Sequence, residues 1–176
     1  VAASELYDEK SALYVLERQG LSIDSHDLIT LYSDWIDKFP IISIEDGLNE
    51  DDWDGWMELN RRLGDRIQLV GDDLLVTNID RVKTASNIEA CNSILLKPNQ
   101  IGSVSETLEA LNLAKSNGWT TVMSHRSGET EDNTIADLAV GWTAGQIKTG
   151  APARSDRVSK YNRLLHIEDQ LGNNAV

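Results

Sequence analysis

Residues 124–132, "SHRSGETED", put a histidine, an arginine, two serines and three acids into nine positions, directly after the uncharged, β-prone run "WTTVM". Three kinds of chemistry suit such a cluster. The acids and serines can cap a helix, a Ser/His pair can act as a nucleophile, and Arg126 and Ser127 can hold phosphate together with the amides that open a following helix. The nucleophile reading is the weakest. No G-x-S-x-G elbow is present, and adjacent Ser124 and His125 on one strand would point to opposite faces.

The other apolar runs end in equally capable side chains. "IISIE" ends in Glu45, "LVGDD" in Asp72 and Asp73, "ILLK" in Lys97, "TVMSH" in His125 and "GQIK" in Lys148. Each residue has an ordinary reading alone: Asp46 or Asp73 can cap the next helix, and a lysine ending a strand can reach solvent. Five such ends together favour a shared site. Carboxylates at strand ends suit Mg²⁺, which binds through a few carboxylates while keeping several waters. Lys97 follows three apolar residues and precedes Pro98, which holds it extended. Apolar walls and neighbouring cations lower a lysine's pKa, so Lys97 can serve as a base. A lysine base beside a divalent cation suits removal of a proton next to a carboxylate, because the cation offsets the charge that develops.

The elements that must position these groups alternate regularly from about residue 24. "SHDLITLYSDWIDKF" spaces Leu28, Leu31, Trp35 and Phe39 as a helix ending at Pro40. "DDWDGWMELNRRLG" repeats the signal with Trp53, Trp56, Met57 and Leu63, closed by Gly64. Thr77 or Asn78 can cap a helix carrying Ile79 and Val82, and Ser103 with Glu106 forms a capping box whose helix closes at Gly118. A helix with Ile135, Leu138, Ala139 and Trp142 follows, and a last one runs from about Ser155 to Leu171. Five strands too apolar to face water, alternating with helices, predict an α/β fold with a parallel sheet, either doubly wound or a barrel. All strand C-termini then share one face, where ligands bind.

Composition narrows the function classes. The net charge of −13 argues against nucleic acid as a partner. The single Cys91 rules out an internal disulfide and reads as a small buried residue where a helix meets a strand. No Cys/His cluster has zinc spacing, and no apolar run is long enough to span a bilayer. The opening "VAASELYDEK" lacks the pattern of a signal peptide, and its initial valine suggests a fragment.

The blocks "SIEDGLNEDDW", "VGDDLLVTN", "LLKPNQIG", "SHRSGETED" and "GQIKTGAPARSDRVSKYNRLLHIE" resemble, in order and across essentially the whole chain, the enolase (phosphopyruvate hydratase) family. The resemblance implies the later portion of an enolase-type (β/α)₈ TIM-like barrel, residues 1–176 forming a partial C-terminal catalytic domain without the family's α+β domain or first barrel strands. It implies a lyase of glycolysis that reversibly dehydrates 2-phosphoglycerate to phosphoenolpyruvate with Mg²⁺. A lysine or histidine base working with one or two Mg²⁺ ions is the established pattern of this superfamily. Carried onto this chain, Glu45 and Asp72 bind Mg²⁺, Lys97 takes the carbon-2 proton, and Lys148 offsets charge on the carboxylate. Ser124, His125, Arg126 and Ser127 surround the substrate, with Arg126 and Ser127 on its phosphate. "VAASELYD" matches the segment after the family's first metal-binding aspartate, so that ligand and the general-acid glutamate are expected upstream, and residues 1–176 alone are expected to fold poorly and be inactive. The resemblance further implies a cytoplasmic homodimer or higher homo-oligomer. Two other readings are a superfamily member acting on a non-phosphorylated acid, which Arg126 and Ser127 oppose, and a surface-displayed binding protein, which the ending "LGNNAV" does not favour.

Overall fold

The computed structural model describes residues 1–175. The parallel sheet is built from β4 (Ser43–Glu45), β5 (Gln68–Gly71), β6 (Ser93–Leu96), β7 (Thr120–Ser124) and β8 (Gly145–Lys148). Helices alternate with them: α1 (Ser25–Lys38), α2 (Trp53–Leu63), α3 (Ile79–Asn87), the single turn α4 (Pro98–Ile101), α5 (Val104–Ser116), α6 (Thr134–Gly141) and α7 (Ser155–Leu171). The strands lie side by side in chain order, every neighbouring pair parallel. A doubly wound sheet would reverse its order at a switch point; unbroken order is that of a barrel wall. The wall curls so far that Lys148, ending β8, reaches Glu45, ending β4, at 2.6 Å. The fold is therefore α/β, a half-barrel of five strands.

Alternation along each strand divides the packing between two faces. Leu69, Ile94, Leu96 and Met123 join the large core that the helices cover, while Val70, Leu95 and Val122 form a small separate cluster. Below that cluster the Gln68 amide nitrogen lies 3.0 Å from Ser93 Oγ, 2.7 Å from Thr120 Oγ1 and 3.3 Å from Gln146 Oε1. Its amide oxygen accepts from Ser43 Oγ at 2.9 Å.

Capping follows the chemistry of the flanking residues. Asp24, Asp52, Asn78 and Ser103 each accept a hydrogen bond from a first-turn amide. Gly118 stands at φ +75° just beyond α5, where a left-handed residue closes the helix. The buried face of α1 is Leu28, Ile29 and Tyr32, rotated from the expected stripe: Trp35 and Phe39 are 40% and 57% exposed. Cys91 is buried between α3 and β6, as expected.

The first 23 residues carry no periodic signal, yet β1 (Tyr7–Asp8), β2 (Leu13–Leu16) and β3 (Leu21–Ile23) form an antiparallel sheet there. It supplies Tyr14, whose fully buried ring brings a hydroxyl to the segment after β4.

Candidate functional site

The strand ends meet as ion pairs. Lys97 follows β6 in extended backbone, with Pro98 opening α4 behind it. Its amide donates to Thr77 Oγ1 at 2.9 Å, and its Nζ donates to Asp72 Oδ2 at 2.6 Å. Both side chains are largely buried, at 13% and 10% exposed. The partner Thr77 is itself unusual. Val76 and Thr77 stand at φ +44° and +57°, a costly conformation for β-branched residues, and Thr77 is fully buried beneath the lysine. On the next strand end but one, Lys148 Nζ holds Glu45 Oε1 at 2.6 Å in a more exposed pair. Glu45 and Lys148 line a cavity of about 420 Å³ that opens on the inner face of the half-barrel.

A carboxylate cluster adjoins the buried pair. Asp46, Asp72 and Asp73 bring ligand atoms within 4.8 Å of one another. Asp46 stands at φ +46° and does not cap a helix: its two oxygens accept from the amides of Asp72 at 2.9 Å and Asp73 at 3.0 Å. Neither does Asp73 cap one; both lie in turns that lock the β4 and β5 ends together. Burial pushes the Asp46 carboxyl up to about 6 against the lowering effect of those amides. Burial also raises Asp73, with the charges of Asp72 and Glu45 adding to it and Lys97 opposing. Asp72 Oδ1 is buried with no hydrogen-bond partner among the described residues. An orphaned anionic oxygen beside two further carboxylates suits a hard cation, so the donor set fits a divalent ion. Of the two sequence-derived ligands, Asp72 lies in this cluster, whereas Glu45 lies outside it and is held by Lys148.

The third group is the segment after β7. Ser124 is buried and donates from Oγ to the His125 carbonyl at 2.9 Å, so no Ser/His nucleophilic pair forms. His125 Nδ1 meets the Arg157 guanidinium instead. Arg126 turns its guanidinium to Asn99 Oδ1 at 3.2 Å and lines a second cavity of about 310 Å³, apart from that of Glu45 and Lys148. The "GETED" run does not open a helix. α6 begins only at Thr134, and Glu129 is engaged by Lys160 of α7 at 2.9 Å. Gly128 has no positive φ, so its backbone freedom is not used at this turn. Sequence reasoning missed Glu129, Arg157 and Lys160 as partners of this segment; the only local signal was the i, i+3 spacing of the two cations on one helix face.

Burial, and then the charge of Arg157, hold the His125 imidazole below its ordinary 6.5. As pH falls below 6.5 the unfolded chain takes up this proton first. The residue's contribution to stability is thus complete above that value and is lost as pH falls toward the lowered folded pKa. His125→Asn keeps an acceptor for Arg157 and is expected to flatten the decline of the urea midpoint between about pH 7 and pH 5. An unchanged slope would exclude the histidine as its source.

A family model described as "Enolase, C-terminal TIM barrel domain" matches residues 1–176.

Proposed function

The chain belongs to the family of enolase C-terminal TIM barrel domains, and on that premise we propose that it forms the later barrel portion of an enolase, dehydrating 2-phosphoglycerate to phosphoenolpyruvate with Mg²⁺. The observation that carries this reading is the buried Lys97–Asp72 pair at 2.6 Å, a candidate base set against a carboxylate with one free oxygen.

Asp72, through its orphaned oxygen, would hold Mg²⁺, and Glu45 would join it on leaving Lys148. When bound, the ion would supply positive charge against the substrate carboxylate, lowering the cost of negative charge developing there. Lys97, released from Asp72 and present as the neutral amine, accepts the carbon-2 proton on Nζ, and the carbon-3 hydroxyl leaves as water once a general acid protonates it. Lys148, released from Glu45, lies against the substrate carboxylate and offsets its growing charge. Arg126 leaves Asn99 and, with Ser127, binds the phosphate through charge-assisted hydrogen bonds. His125, held neutral by burial and Arg157, offers its remaining ring nitrogen to the substrate, and Ser124 fixes the carbonyl of that residue.

Incubating the intact protein with 2-phosphoglycerate and following the absorbance of phosphoenolpyruvate tests the proposal. Formation that needs Mg²⁺ and stops with a chelator is expected. Undiminished formation in chelator, or none with Mg²⁺ present, would sink it.

A further inference from the structure

Among the described residues, no backbone-to-backbone hydrogen bond outside helices and strands involves residues 126–132. Side chains hold this segment instead, two from α7 and two, Glu129 and Thr130, from the segment itself. Arg157 Nη1 donates to the Arg126 carbonyl at 2.9 Å and Nη2 to the Ser127 carbonyl at 2.8 Å. Glu129 Oε1 accepts from the Arg126 amide at 3.0 Å, and its Oε2 accepts from the Thr130 amide at 3.2 Å. Lys160 Nζ, at 1% exposure, donates to Glu129 Oε2 at 2.9 Å and to the carbonyls of Thr130 and Asp156 at 2.6 Å each.

The three donors of the ammonium therefore all find acceptors, one of them charged. Burying a lysine this deeply is costly unless its charge is paired and hydrogen-bonded, and apolar residues commonly serve better when only packing is needed. The arrangement does something packing could not. It fixes both the amide and the carbonyl of Arg126, and the carbonyl of Ser127, from a rigid helix.

We propose that Arg157, Lys160 and Glu129 form a brace between α7 and the segment after β7, positioning Arg126 and Ser127 to receive a phosphate. The proposal rests on the reading that this segment binds the substrate phosphate. In this proposal the three act as positioning residues and not as ligands of the phosphate, with Glu129 and Lys160 forming part of the wall of the cavity that Arg126 lines. Arg157 acts through a planar fork on two carbonyls, which a lysine cannot reproduce. Lys160 acts through Glu129, whose carboxylate carries the constraint to the Arg126 amide.

Three variants of the intact protein test this: Glu129→Gln, Lys160→Met and Arg157→Lys, the last conservative enough to fold if Lys160→Met does not. Amide hydrogen exchange without ligand reads the brace itself. Exchange at the amides of Arg126 and Thr130, the two that Glu129 accepts from, is expected to rise about 10-fold or more in each variant while β6 is unaffected. Steady-state kinetics read its purpose. Phosphate contacts bind ground and transition states alike, so KM for 2-phosphoglycerate should rise about 10-fold to 100-fold with kcat changed less than about 3-fold. A uniform rise in exchange across the sheet with KM unchanged would reduce the brace to general stabilisation and overturn the proposal. Faster exchange confined to 126–130 in a protein whose wild type does not bind 2-phosphoglycerate would uphold the brace but overturn the phosphate assignment.

Discussion

Lys97→Ala in the intact protein is expected to slow exchange of the carbon-2 proton of 2-phosphoglycerate by about 10²–10⁴-fold, the usual contribution of a positioned general base. The geometry adds a second effect. Lys97 is the hydrogen-bond partner of Asp72 Oδ2, and the other oxygen of that carboxylate already has none. Removing the ammonium strands a buried carboxylate, a change that typically costs about 3–5 kcal/mol. A cation on Asp72 would offset the loss. The variant's thermal midpoint should therefore rise with Mg²⁺ by more than the wild type's, although its chemistry is gone. Deuterium exchange followed by NMR, and melts with and without chelator, separate the two effects. Exchange at the wild-type rate would remove Lys97 from the base role. Equal responses to Mg²⁺ would remove Asp72 from the metal site.

A loss of stability of the same order is expected at Trp56. Its ring is fully buried, and its indole N–H donates to the Asn49 carbonyl at 3.1 Å. It is one of three buried rings that fasten the segment following Glu45. Tyr14 Oη accepts from the Asn49 amide at 2.8 Å, and Tyr32 Oη donates to the Gly47 carbonyl at 2.8 Å. Each combines a large apolar body with one polar atom aimed at the loop. Trp56→Ala should cost about 3–5 kcal/mol, the range for deleting a buried aromatic side chain. Trp56→Phe retains much of the ring but leaves the carbonyl unpaired, so a loss of about 1–3 kcal/mol is expected. Urea unfolding of both variants gives the difference. Equal losses would show that the hydrogen bond, not the volume, dominates at this position.

The five strands of the parallel sheet, the helices after residue 24 other than the single turn α4, and the convergence of strand ends were legible in the sequence because each depends on nearby residues. An apolar run sets a strand, Ser103 or Asn78 caps the helix a few positions on, and parallel order places every strand end on one rim. Pairings across the fold were not legible. Lys160 and Glu129 lie 31 residues apart, and nothing local distinguishes that lysine from one facing water. The same limit explains the misreadings. Acids in "GETED" look like a helix start because dipole and capping arguments are local, but Glu129 is committed to a distant lysine. Asp46 looks like a cap for the same reason, and is instead a clamp on two amides of the next strand end. The hairpin strands before residue 24 escaped because Tyr7–Asp8 and Leu21–Ile23 are too short to show alternation.

Gln68 has a consequence for how the sheet assembles. Its one amide group reaches side chains from four other strands: Ser43, Ser93, Thr120 and Gln146. A slip of any strand by one residue turns alternate side chains to the opposite face. Such a slip would withdraw that strand's hydroxyl or amide and put another side chain in its place. Parallel strands joined by helices have no tight turns to fix their alignment, and the apolar layer of Val70, Leu95 and Val122 would accept several alignments almost equally. The polar layer accepts one. Gln68 thus favours the one strand alignment that satisfies it, and that alignment sets Glu45, Asp72, Lys97 and Lys148 on a common rim.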